Sequence, residues 1–274
     1  MNRLELFGEI KRKKSFLCIG LDTDLDKIPG HLMDTSDPIF EFNKIIIDAT
    51  HQYCVAYKPN VAFYEALGAK GWVSLQKTLD YIPKGIFKIA DAKRADIGNT
   101  SALYAKAFFK TLNVDALTVS PYMGADSIRP FFEFDGKWVI LLLHTSNSGS
   151  QDFQTLEVSG GKKLYEEILE KAMTWATAES LMFVVGATYP KKIEHIRKLA
   201  PDYFFLVPGY GKQGGSLDEI AHLGMNSQCG LLVNSSRNIL YNSKGSDFGS
   251  EAAKVAESIR NQMKTYLEIG ELIQ

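Results

Sequence analysis

The sequence predicts an α/β chain closed into a (β/α)8 TIM barrel. It would form one domain over residues 1–274, with one helix before the first strand and another after the last. Three observations carry that prediction. Short β-branched or aromatic runs alternate with longer segments whose apolar residues recur every three or four positions. Eight such runs in about 250 residues match the count and length of a barrel. Polar residues that interrupt the runs gather at their carboxyl ends, which in a barrel converge on one face. An open, doubly wound sheet is the alternative arrangement.

The strand stretches are, in order, SFLCIGLD (15–22), CVAYKPNV (54–61), GIFKIADAK (85–93), ALTVSP (116–121), KWVILLLHTS (137–146), LMFVVGAT (181–188), YFFLVPGYG (203–211) and GLLVNSSR (230–237). Their near-continuous apolar character suits strands buried on both faces of a parallel sheet. Between them, IFEFNKIIIDATHQY, SALYAKAFFKTL and KKLYEEILEKAMTWATAE carry helical spacing. Pro, Gly and Asn near the strand exits serve as turn residues.

Composition narrows the functional classes. The chain has 31 basic and 32 acidic residues and a net charge of −1, so no overall field would draw in nucleic acid or an anionic membrane. Any anion must be met by a local site. Cys18, Cys54 and Cys229 are far apart with no C-x-x-C, which argues against a disulfide framework or zinc and suits a reducing cytoplasm. MNRLELFGEIKRKKSF has no apolar core of a signal peptide, and WVILLL is too short to span a bilayer.

KIADAKRADIGNT (88–100) is the densest chemical array. Strand periodicity puts Ile89, Asp91 and Lys93 on one face and turns Arg94 away. Asp96 follows within a turn, and a helix is expected to start with Asn99, Thr100 or Ser101 as its cap. A cluster that merely complements a helix dipole would look similar. However, a lysine flanked by two carboxylates is kept charged, which suits a proton donor better than an amine nucleophile. Lys58, on the adjacent strand, would extend the array into a Lys–Asp–Lys–Asp row that sets a cation where negative charge develops.

The other end of the barrel mouth reads as a phosphate cup. YFFLVPGYGKQGGSLDEIAHL contains G-x-G-x-x-G at Gly209, Gly211 and Gly214, but on the seventh strand. Asn234 and Ser235 stand where a dinucleotide fold needs an acid, so that reading fails. A Gly-rich loop with Gln213, joined by Arg237 after the eighth strand, fits a phosphate, which barrels commonly bind with these loops. Residues 208–216 are the expected lid. The five histidines have no metal-ligand spacing, and the sequence pattern offers no evident general base for Ser146, so it reads as a hydrogen-bonding group.

GLD, AYKPNVAFYEALG, DAKRADIGNT, TVSPYMG, LHTSNSGSQDF, VPGYGKQGG and NSSR, in that order, resemble the orotidine 5′-phosphate decarboxylase family, most closely its longer bacterial branch. The resemblance covers nearly the whole chain. It implies that Lys93 protonates C6 as carbon dioxide leaves and that Asp91 sits beside the substrate carboxylate. Lys58 would join the row and touch the ribose, and Asp22 would bind a ribose hydroxyl. Ser146 would hydrogen-bond the pyrimidine, while Gln213 and Arg237 would take the phosphate. Asn60 and Pro208, within the matching stretches, count among the substrate-binding residues. Asp96, with Ile97 and Thr100, would reach the neighbouring subunit's site in a homodimer. No metal or organic cofactor is implied. Ala95 stands where the family usually has Gly, a mild strain if that position needs positive φ.

Two other readings compete. Sugar-phosphate decarboxylases and synthases of the same superfamily share D-x-K-x-x-D but use Mg²⁺ with an acidic ligand on the second strand, where this chain has Lys58 and Asn60. A silent nucleotide-binding barrel would not need the complete row.

Overall fold

The computed structural model describes residues 1–210 and 215–274. Eight parallel strands close in chain order: β1 (Leu17–Gly20), β2 (Ala56–Lys58), β3 (Phe87–Arg94), β4 (Ala116–Val119), β5 (Trp138–His144), β6 (Leu181–Val185), β7 (Phe204–Val207) and β8 (Leu231–Ser235). Leu17 pairs with Val233, so β8 is hydrogen-bonded back to β1 and the open-sheet alternative is excluded. Each strand falls on a stretch expected to be one. Their side chains are buried almost throughout, because the barrel interior covers one face and helices the other.

The helices are α1 (Arg3–Lys13), α2 (Pro38–Thr50), α3 (Ala62–Glu65), α4 (Gly68–Tyr81), α5 (Gly98–Lys106), α6 (Ala125–Ile128), α7 (Ser150–Phe153), α8 (Leu164–Met173), α9 (Pro190–Leu199), α10 (Leu217–Gly224), α11 (Arg237–Leu240) and α12 (Phe248–Ile269). In α2, Asp37 accepts from the Phe40 amide at 3.2 Å and Pro38 occupies the first turn. Its buried stripe of Ile39, Phe42, Ile46 and Ile47 follows helical spacing, each side chain contributing about 1.5–3 kcal/mol. Phe42 stacks on Phe248 at 4.9 Å, which seats α12 against α2.

Phe87, Trp138 and Phe204 open β3, β5 and β7 and meet edge-to-face, at 6.2 and 6.4 Å. A layer supplied by alternate strands is how a barrel fills its interior. Below it, α1 crosses the amino ends of the strands. Arg3 donates to Gln228 Oε1 at 2.5 Å, and Trp138 Nε1 donates to the Met1 carbonyl at 2.8 Å. The amino face is thus closed by packing, and the carboxyl face is left for chemistry.

Two local expectations are corrected. Helix α5 begins at Gly98 after Ile97, with no side-chain cap, so Asn99, Thr100 and Ser101 lie inside it rather than before it. Gly98 has φ 47°, a left-handed step that a glycine takes without steric cost and that swings the chain into the helix early. At the next irregularity, Ala90 pairs with Leu117 and Arg94 with Val119, so residues 91–93 bulge opposite Thr118 alone. Lys93, not Ala95, takes the left-handed conformation there, with φ 49°. The substitution at position 95 is therefore free of that strain.

Candidate active site

The carboxyl ends of β1, β2, β3, β7 and β8 surround a cavity of about 190 Å³. Asp22, Lys58, Asn60 and Asp91 form one wall, and Ser146, Pro208 and Arg237 stand elsewhere around it. Lys58, fully buried at the end of β2, donates to Asp91 Oδ2 at 2.8 Å and lies 3.9 Å from Asp22 Oδ1. Lys93 Nζ donates to Asp91 Oδ1 at 2.6 Å. Three members of the expected row are thus joined by hydrogen bonds, although the bulge breaks the β3–β4 register across Asp91 and Lys93.

Electrostatics within the row follow from burial against pairing. Burial opposes ionisation of Asp91, but Lys58 and Lys93 together outweigh it and hold the carboxyl well below the usual range. Burial likewise works against the Lys58 ammonium, and Asp91 and Asp22 overcome it, so its pKa is raised. Both groups stay charged near neutral pH because each supplies what the other lost in leaving water.

Neighbouring elements hold the acidic loop in place. Tyr241 Oη donates to the Asp22 carbonyl at 2.8 Å and accepts from the Asp24 amide at 2.8 Å. Tyr64 Oη donates to the Leu21 carbonyl at 3.1 Å. Asp22 Oδ1 is itself buried with no hydrogen-bond partner among the described residues. Asn60 bridges to Asp91 through the backbone and caps the next turn, accepting from the Ala62 amide at 3.2 Å.

Ser146 sits where β5 leaves the barrel, and Gly186 makes room for it. A Cβ on Gly186 would fall 2.7 Å from the Ser146 nitrogen, so only glycine lets the loop lie against β6. Ser235 Oγ, also on the wall, is buried without a hydrogen-bond partner among the described residues. Arg237 is exposed at the rim.

Not every expected residue converges. Lys93 is not part of the cavity wall; its side chain is half exposed and reaches the row through Asp91. Asp96 accepts from the amide of Ile97 at 2.8 Å, and Ile97 and Thr100 are exposed on the lip. Gln213 lies outside the described residues, as does the middle of the expected 208–216 lid.

The model of the orotidine 5′-phosphate decarboxylase / HUMPS family matches residues 15–247. The chain belongs to this family. An orotidine 5′-phosphate decarboxylase of Bacteroides fragilis is 56% identical over 271 residues, covering 98% of this chain and 99% of its own. Among solved structures, Leishmania donovani OMP decarboxylase superposes with a TM-score of 0.82 at 38% identity, over 97% of this chain and 100% of that one. Leishmania donovani UMP synthase gives 0.83 at 40% identity over 95% of this chain, which spans 56% of the synthase chain.

Within the family frame, the two carboxylates that face each other across the wall are separated by a protein cation, the Lys58 ammonium. Among the described residues, no group of three or more His, Cys, Asp or Glu side chains is arranged around a metal position. A larger hollow of about 500 Å³ near Val73 and Leu67 contains Asp37, but that carboxylate is engaged by Ser74, Lys77 and the start of α2. Among the described residues, no helix is long and apolar enough to cross a membrane. The sequence reading did not single out Thr118, Tyr64 or Tyr241. A threonine amid the apolar run ALTV was the one local sign available for the first.

Proposed function

We propose that this chain decarboxylates orotidine 5′-phosphate to UMP with its own side chains, needing no metal or organic cofactor. The observation that carries the reading is the charged row Lys58–Asp91–Lys93 across the ends of β2 and β3, in a chain of this family. Orotidine 5′-phosphate would place its phosphate toward Arg237 and the loop after β7, and its pyrimidine toward Ser146. Asp22 and Lys58 would meet the ribose.

The C6 carboxylate then lies beside Asp91, where like charge disfavours the bound substrate more than the transition state. The C6–carboxyl bond breaks, carbon dioxide departs, and the electron pair remains on C6. Lys93 stabilises that developing charge and transfers its ammonium proton to C6, ending as a neutral amine. Lys58 holds Asp91 and provides a second cation throughout.

The lip residues support a homodimer with shared sites. Ile97 and Leu103 are 55% and 56% exposed and Tyr122 is 90% exposed, apolar side chains that a second copy would cover. Three buried, unpaired cysteines are consistent with a cytoplasmic setting. The test follows the ultraviolet absorbance of orotidine 5′-phosphate with purified protein and excess EDTA. Conversion to UMP supports the reading; turnover only after Mg²⁺ addition refutes the metal-free chemistry. No turnover from folded protein refutes the assignment.

A further inference from the structure

The geometry points to Thr118 as a positioning residue that fixes both Asp91 and the backbone of Lys93 for the decarboxylation proposed above, on which reading this inference rests. Thr118 is 1% exposed, in the middle of β4, and is not itself a residue of the cavity wall; it meets the wall only through Asp91. Its hydroxyl accepts from the Lys93 amide at 2.9 Å and donates to Asp91 Oδ1 at 3.0 Å. A threonine hydroxyl has one proton. With the Lys93 N–H directed at the oxygen, that proton is committed to the carboxylate, so the pair of bonds has a single sense.

The bulge explains why a side chain is needed there. Residues 91–93 stand opposite Thr118 alone, so the strand ladder cannot satisfy the Lys93 amide, and Lys93 sits in the left-handed region. The Thr118 hydroxyl takes over the missing ladder bond. It also meets the same carboxylate oxygen that the Lys93 ammonium uses. Lys93 and Lys58 are long and charged, and they supply attraction; Thr118 is short, β-branched and carried on a strand, so it supplies direction. One rigid hydroxyl thereby sets the separation between the carboxylate and the backbone of the proton donor.

Thr118→Val keeps the shape and removes the hydroxyl, and Thr118→Ser keeps the hydroxyl. With orotidine 5′-phosphate, Thr118→Val is expected to lower kcat about 10- to 100-fold, the range of a hydrogen bond to a charged group, with KM within about threefold of the parent. Thr118→Ser is expected to restore kcat to within about threefold. Amide hydrogen exchange adds a readout independent of turnover: the Lys93 amide should be protected in the parent and the serine variant and lose protection in the valine variant. A parent without turnover would refute the decarboxylase reading while leaving the exchange comparison to decide the positioning. Valine behaving like the parent in kcat, a loss confined to KM, a serine variant as slow as valine, or equal exchange at Lys93 in all three would each overturn the inference.

Discussion

Replacing Lys58 by Met tests whether the row is held by charge. The ammonium is buried, 2.8 Å from Asp91 and 3.9 Å from Asp22, and methionine of similar length leaves two carboxylates with Lys93 as the nearby cation. Breaking one side of a buried ion pair costs about 3–5 kcal/mol, here a fall in Tm on the order of 10 °C. The pH dependence has a definite sign. The carboxyl of Asp91 is depressed in the folded protein, so its contribution is present above the unfolded value of about 3.9 and lost as pH falls through the folded one. Without Lys58, burial moves the folded value upward and the charged form becomes a liability at neutral and alkaline pH. The deficit of the variant relative to its parent should be largest near pH 8 and shrink toward pH 5. Lys58→Met with Asp91→Asn should recover at least half of the loss, since the stranded charge is gone. Urea unfolding at both pH values measures this. A deficit below about 1 kcal/mol at pH 8, or the same deficit at both values, would refute the argument.

Other consequences are open to simple assays. Lys93→Ala should abolish turnover while product-nucleotide affinity, measured by calorimetry, changes by less than about threefold, because the side chain is half exposed and outside the cavity wall. Arg237→Ala should raise KM about 10- to 100-fold through loss of a charge-assisted phosphate contact, seen in steady-state kinetics. If partner subunits complete each site, mixing inactive Lys93→Ala and Asp96→Ala chains after dissociation should regain about a quarter of parental activity. Half of the reassorted dimers then contain one intact site. Activity that stays at zero would count against shared sites.

Much of this was readable in one dimension because a barrel strand is buried on both faces. Runs such as WVILLL and FFLV advertise themselves without any partner. Lys58 and Asp91 were equally legible, since charges ending an apolar strand have few structural reasons to be there. What could not be read depends on pairing between distant segments. The bulge that puts Lys93 in the left-handed region exists only against β4, and the early start of α5 depends on the φ of Gly98. Thr118, Tyr64 and Tyr241 act through contacts 25 to 219 residues away in sequence, which no local spacing reveals.

The two lysines of the row differ in access to bulk water: the Lys58 side chain is 4% exposed and that of Lys93 48%. Only one of them can trade its proton with solvent directly. Under the proposed mechanism Lys58 would therefore be a permanent fixture, while Lys93 would be an acid that is discharged once per cycle and rearmed from outside. No internal proton wire is required, and no histidine stands among the described residues of the cavity wall to serve as one. Under that mechanism the acid would recover its proton straight from solvent on its exposed side, independently of the buried wall of the cavity.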